Sequence, residues 1–71
     1  MSQYLVVMER TTTGYGVYVP DLPGCVSTGP TIAQAERNAR EAIELHLEGL
    51  REEGQPIPEP SSTAAFVTVA A

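Results

Sequence analysis

Two pairs of side chains in this 71-residue chain could do chemistry. The first is Glu9 with Asp21. Paired carboxylates can hold a divalent ion for phosphodiester hydrolysis. The structural alternative is that Asp21, inside Pro20-Asp21-Leu22-Pro23, accepts hydrogen bonds from backbone amides in a turn. The second pair is Cys25, the only cysteine, with His46, the only histidine. A cysteine beside a histidine base is a nucleophile. Yet no basic residue lies within ten positions of Cys25 on either side. Cysteine is also among the most often buried residue types, so packing is the plainer role. His46 lies in an apolar helical stripe, where a satisfied hydrogen bond is the ordinary outcome and a pH-sensitive contact the alternative. One Cys and one His cannot make a four-ligand zinc site. Neither cofactor nor metal is expected. Gly14 and Gly16 do not form a phosphate loop, because no helix follows them.

The elements that must position these groups follow from periodicity. Residues 3–10, QYLVVMER, read as a first strand and residues 15–19, YGVYV, as a second. Thr11–Gly14 turns between them, giving a hairpin. The corner Pro20-Asp21-Leu22-Pro23-Gly24 leads to a short third strand near Cys25–Thr28. Its prolines fix φ, and Gly24 and Gly29 permit the turns that aim the third strand and launch the helix. Thr31 is a helix N-cap, and Gln34 three residues later predicts a capping box. Gly54 and Pro56 predict the stop. Between them Ile32, Ala35, Ala39, Ile43, His46, Leu47 and Leu50 form one apolar stripe. Glu41, Glu44, Glu48 and Glu52 lie opposite. Gln55–Ser62 carries three prolines and reads as an extended connector. Ala65–Val69 reads as a last strand, suited to docking on its own sheet or a neighbour's. The expected fold class is α+β in the order β-β-β-α-β. An antiparallel sheet carries one long helix on one face, and residues 1–71 form a single domain.

The net charge is −5, with nine acidic residues, four arginines and no lysine. Nucleic-acid binding through phosphate neutralisation is therefore not expected, and a macromolecular partner should be basic. No apolar run approaches a membrane span and no basic leader precedes one, so a soluble, cytoplasmic protein is expected. A chain this short buries only about 60% of its unfolded surface. Both strand faces are rich in apolar residues, and one helix covers one face. A second copy or another partner is expected on what is left.

The segments GYGVYVPDLPGCVSTGPT and AQAERNAREAIELHLEGLREEGQPIPEPS resemble the N-terminal domain of HicB-type antitoxins over nearly the whole chain. The resemblance implies a partial ribonuclease H-like fold without working catalysis. It implies binding and neutralisation of HicA, a small basic toxin that resembles a double-stranded-RNA-binding domain and cleaves mRNA. It also implies assembly as dimers or higher oligomers. Full-length members add a C-terminal DNA-binding segment. This sequence stops two residues after its last expected strand, so it reads as a short, stand-alone form without operator binding.

On this reading Tyr15, Tyr18, Asp21 and Leu22 are the expected toxin contacts, and Phe66, Val67 and Val69 the expected oligomer contacts. Two alternatives stand beside it. One is an oligomeric structural or ligand-binding module with no toxin; the other is a residual metal-dependent nuclease using Asp21 and Glu9.

Overall fold

The computed structural model describes residues 2–71. Three strands, β1 (Val7–Arg10), β2 (Tyr15–Tyr18) and β3 (Val26–Gly29), precede one long helix, α1 (Ile32–Glu52). The strands pair in the order β1-β2-β3, each neighbour antiparallel. This is the α+β arrangement that the sequence predicts, with one difference at the chain's end.

The β1–β2 hairpin closes through Thr11 N–H donating to the Gly14 carbonyl at 2.8 Å. Register places Val7 opposite Tyr18 and Arg10 opposite Tyr15. β1 is shorter than the expected 3–10 because β2 leaves the ladder at Tyr18. The Val19 carbonyl accepts from Leu22 N–H at 3.0 Å, and Pro20 has no N–H to offer. Tyr4 and Val6 still face the core.

The corner is two turns sharing Leu22. The first runs from Val19 to Leu22; the second is closed by Cys25 N–H donating to the Leu22 carbonyl at 3.0 Å. In the second, Pro23 occupies the position where φ near −60° is needed. Gly24 follows at φ 84°, the left-handed step of a type II turn. Val19 N–H then donates to the Cys25 carbonyl at 3.2 Å and starts the β2–β3 ladder.

Helix α1 begins at Thr31, whose hydroxyl accepts from Gln34 N–H at 3.1 Å. Only half of the capping box forms. The Gln34 side chain turns away from the cap, donating to Asn38 Oδ1 and accepting from Arg37, both at 2.8 Å. Asn38 in turn donates to the Thr28 carbonyl at 2.8 Å, tying the helix to β3. At the far end Gly54 N–H donates to the Arg51 carbonyl and Gln55 N–H to the Leu50 carbonyl, the paired bonds of a Schellman stop.

Two buried clusters hold helix to sheet. One is Val17, Ala35 and Ala39, flanked by Val6, Met8 and Tyr15. The other is Val19, Leu22 and Cys25, flanked by Tyr4, Val6, Ala42, Ile43 and Leu47. Small residues let the helix sit close. A Cβ built on Gly29 would lie 2.5 Å from the Ala35 backbone nitrogen, so only glycine fits there. Ile32, expected in the stripe, lies at its open end and is 53% exposed. The helix packs mainly over β3 and β2, and Met8 of β1 reaches the cluster beneath it.

The expected strand at Ala65–Val69 is not formed. Residues 55–71 are in neither helix nor strand, and residues 61–71 are all exposed. A strand exists only with a partner ladder, and among the described residues of its own chain this segment has none.

Candidate protein-binding site

Side chains alternate across a strand, so the sheet presents a second face away from α1. The register aligns Val7, Tyr18 and Val26 across all three strands on that outward face. The next row on the same face is Glu9, Gly16 and Thr28. Tyr18 is 43% and Val26 66% exposed, which is high for residues in a three-stranded sheet. Gly16 leaves a shallow dip beside Tyr18, lined also by Glu9, Val26 and Thr28. An amphipathic ring next to an open valine, with a carboxylate at the rim, suits contact with another protein surface.

The expected contact residues do not all meet there. Tyr15 points to the helix side and packs on the Val17–Ala35–Ala39 cluster, so it does not share a surface with Tyr18. Arg10 sits across from it, and the phenol beside the guanidinium pushes the arginine pKa up. Leu22, expected at a contact, is 0% exposed and is the anchor of the corner. Its place between two turns carries it inward, beneath Val19 and Cys25. Val26 belongs on the face and escapes a sequence reading. The signal for it is the register, which follows only once the corner's turns are known.

Asp21 has a different occupation. Its Oδ2 accepts from the backbone N–H groups of Ser61 and Ser62, both at 2.9 Å. Its Oδ1 accepts from their hydroxyls at 3.2 and 2.7 Å. These bonds favour the ionised carboxylate and hold its pKa down at about 2, the Ser62 backbone bond contributing most. Asp21 thus accepts from backbone amides, but not from those of its own turn as the sequence predicts: the partners come from the far end of the chain. Tyr4 adds a second tie, its hydroxyl donating to the Pro58 carbonyl at 2.6 Å.

The two catalytic pairings gain nothing from the geometry. Glu9 lies opposite Gly16. Asp21 sits in the Val19–Leu22 turn, and its carboxylate is occupied by Ser61 and Ser62. No group of three or more metal-ligating side chains occurs among the described residues. Cys25 is a buried free thiol among apolar neighbours, and burial pushes its pKa up, opposite to what a nucleophile needs. His46 is half-buried on α1. Among the described residues no helix is long and apolar enough to cross a membrane.

Phe66, Val67 and Val69, the expected oligomer contacts, are 107%, 79% and 72% exposed. They lie on the segment beyond the Asp21 tether.

Comparison with known proteins matches this arrangement. The chain is 39% identical over 64 residues to an "Uncharacterized 14.9 kDa protein in rep-hol intergenic region" of Haemophilus phage HP1, covering 90% of this chain and 48% of that protein. It is 45% identical over 56 residues to a UPF0150 protein of Synechocystis, covering 78% of this chain and 71% of the other. The chain thus spans about half the length of the phage relative. Among solved structures, a chain of a HicA3 and HicB3 toxin-antitoxin complex superposes with TM-score 0.74 at 38% identity, over 84% of this chain and 70% of that one. The N-terminal domain of the Burkholderia pseudomallei antitoxin HicB gives TM-score 0.73 at 41% identity, over 86% and 73%. The longer HicB antitoxin of that organism gives 0.78 at 41%, over 89% and 48%. Residues 4–70 match the family described as the HicB-like antitoxin of bacterial toxin-antitoxin systems, and the chain belongs to that family.

Proposed function

We propose that this chain is a non-catalytic antitoxin module that binds and neutralises a small, basic, mRNA-cleaving toxin of the HicA type in the cytoplasm. The observation that carries the reading is the likeness, at 38% identity and TM-score 0.74, to a chain from a HicA–HicB complex. The surface chemistry supports it. A net charge of −5 speeds encounter with a basic partner. The outward face, with Tyr18 at its centre and Val7 and Val26 beside it, supplies apolar contact area. Glu9 at its rim supplies an acceptor for an arginine or lysine.

The test is rescue. A HicA-type toxin is expressed alone and then together with this chain, the toxin being taken from the reading frame adjacent to this gene where that frame encodes a short basic protein. Relief of growth arrest is expected with the wild-type chain and loss of relief with Tyr18→Ala. Growth arrest that persists with the wild-type chain overturns the reading.

A further inference from the structure

We infer that the notch at Gly16 on the outward sheet face is a socket for one arginine side chain of the basic partner, whose guanidinium stacks on Tyr18 and pairs with Glu9. The inference rests on the antitoxin reading and names the group that the face recognises. Three features of the molecule argue for it.

The chain's own fold does not call for a glycine here. Gly16 lies in β2, the central strand of the sheet. Positive φ falls at Gly14, Gly24 and Gly54, not at Gly16, so its backbone accepts an L side chain. A Cβ built there meets Thr11 Cγ2 at 3.7 Å, an ordinary van der Waals contact. Gly29 is the contrast, since its Cβ would strike the Ala35 backbone. Glycine weakens a strand, through backbone entropy and through the missing side chain. Where internal packing does not require it, it marks a place where another molecule comes close to the backbone.

The walls of the notch suit a planar cation. Glu9 and Thr28 flank Gly16 in register, and Tyr18 and Val26 close one end. Glu9 and Tyr18 are diagonal neighbours across β1 and β2, about 7–8 Å apart. A flat group set between them, over Gly16, touches both. A guanidinium stacks on an aromatic face while its paired N–H groups bond a carboxylate. The compact, strongly hydrated ammonium of lysine has no such fork.

Charge on the face is one-sided. The chain's four arginines are Arg10, Arg37, Arg40 and Arg51, and it has no lysine. Three of the four stand on α1, which packs on the opposite side of the sheet. Arg10 follows Glu9 directly, but alternation turns it to the helix side, beside the Tyr15 phenol. No arginine of the chain therefore shares the face with the exposed Glu9, and a cation from another molecule completes the pair.

The experiment measures affinity of the full chain for the HicA-type toxin by titration calorimetry. Gly16→Ala and Gly16→Val fill the notch in two steps. Affinity is expected to fall at least about tenfold for valine and less for alanine, with neither variant melting below the wild type. Each arginine of the toxin is then replaced by lysine in turn. One replacement is expected to cost the wild-type chain at least about fivefold and the Glu9→Gln variant clearly less, the coupling of a close charged pair. This second measurement does not depend on how Gly16→Val folds. A wild-type chain that does not bind overturns the antitoxin reading and the socket with it. A wild-type chain that binds, with Gly16→Val binding equally well or with no toxin arginine coupled to Glu9, overturns the socket alone.

Discussion

The Asp21 carboxylate receives both the backbone N–H of Ser62, at 2.9 Å, and its hydroxyl, at 2.7 Å. Forty-one residues separate the two in sequence. The contact fixes where the connector after α1 ends and where the exposed arm begins.

Protonating Asp21 removes that grip. Its pKa is lowered from 3.8 to about 2 by the serine bonds. A depressed carboxylate stabilises the tethered state above its unfolded pKa and loses that stabilisation as pH falls through its folded value. The tether is therefore complete above about pH 4 and is released toward pH 2. The Ser61 and Ser62 amide resonances should titrate together with a midpoint near 2. A midpoint at the ordinary carboxylate value means that the bonds do not hold in solution.

Replacing Asp21 with alanine should free the connector without unfolding the body, because the carboxylate lies outside both buried clusters. Amide exchange at Ser61 and Ser62 should accelerate by at least about tenfold, while exchange in α1 stays unchanged. As a toxin contact expected from the sequence, Asp21 should also weaken capture when replaced by alanine. Unchanged affinity in titration calorimetry removes Asp21 from the contact surface.

Leu22 and Tyr18 should behave as opposites. Leu22→Ala opens a cavity at a fully buried position and should cost about 2–5 kcal/mol, enough to leave so small a chain largely unfolded. Tyr18→Ala should keep the urea midpoint nearly unchanged and reduce toxin affinity by about 2 kcal/mol. A stable Leu22→Ala variant with impaired toxin binding would return Leu22 to the surface.

Gly29→Ala tests the close helix–sheet approach. Its Cβ would meet the Ala35 backbone nitrogen at 2.5 Å, with the Ala35 Cα at 2.6 Å. Backbone on both sides cannot yield cheaply, so about 1–3 kcal/mol should be lost. In a domain of this size that lowers the melting temperature by at least about 5 °C. An unchanged melting curve means the helix sits farther from β3.

Cys25 should be slow toward disulfide reagents in the native chain and fast in urea. Burial raises its pKa and closes off its approach. Native reactivity equal to that of a free thiol would contradict the packing role.

Local chemistry made much of this protein readable from sequence. Thr31 begins α1, Gly54 closes it, and Pro23-Gly24 makes a type II turn, because each depends on residues a few positions apart. Family motifs were legible for the same reason, being short segments in a fixed order.

What depended on distant neighbours was not readable. Leu22 is apolar, and only the two turns around it determine that it points inward. Val26 joined the outward face through its register with Tyr18. Gln34 chose Asn38 over the helix cap because Asn38 was already fixed by β3. The amino-acid sequence by itself set the strand and helix tendencies, the acidity and the apolar arm. Only the tertiary structure decided that Asp21 grips the connector and that Phe66 lies outside the chain's own core. Those outcomes turn on which groups meet across forty or more residues, and no local propensity encodes such a meeting.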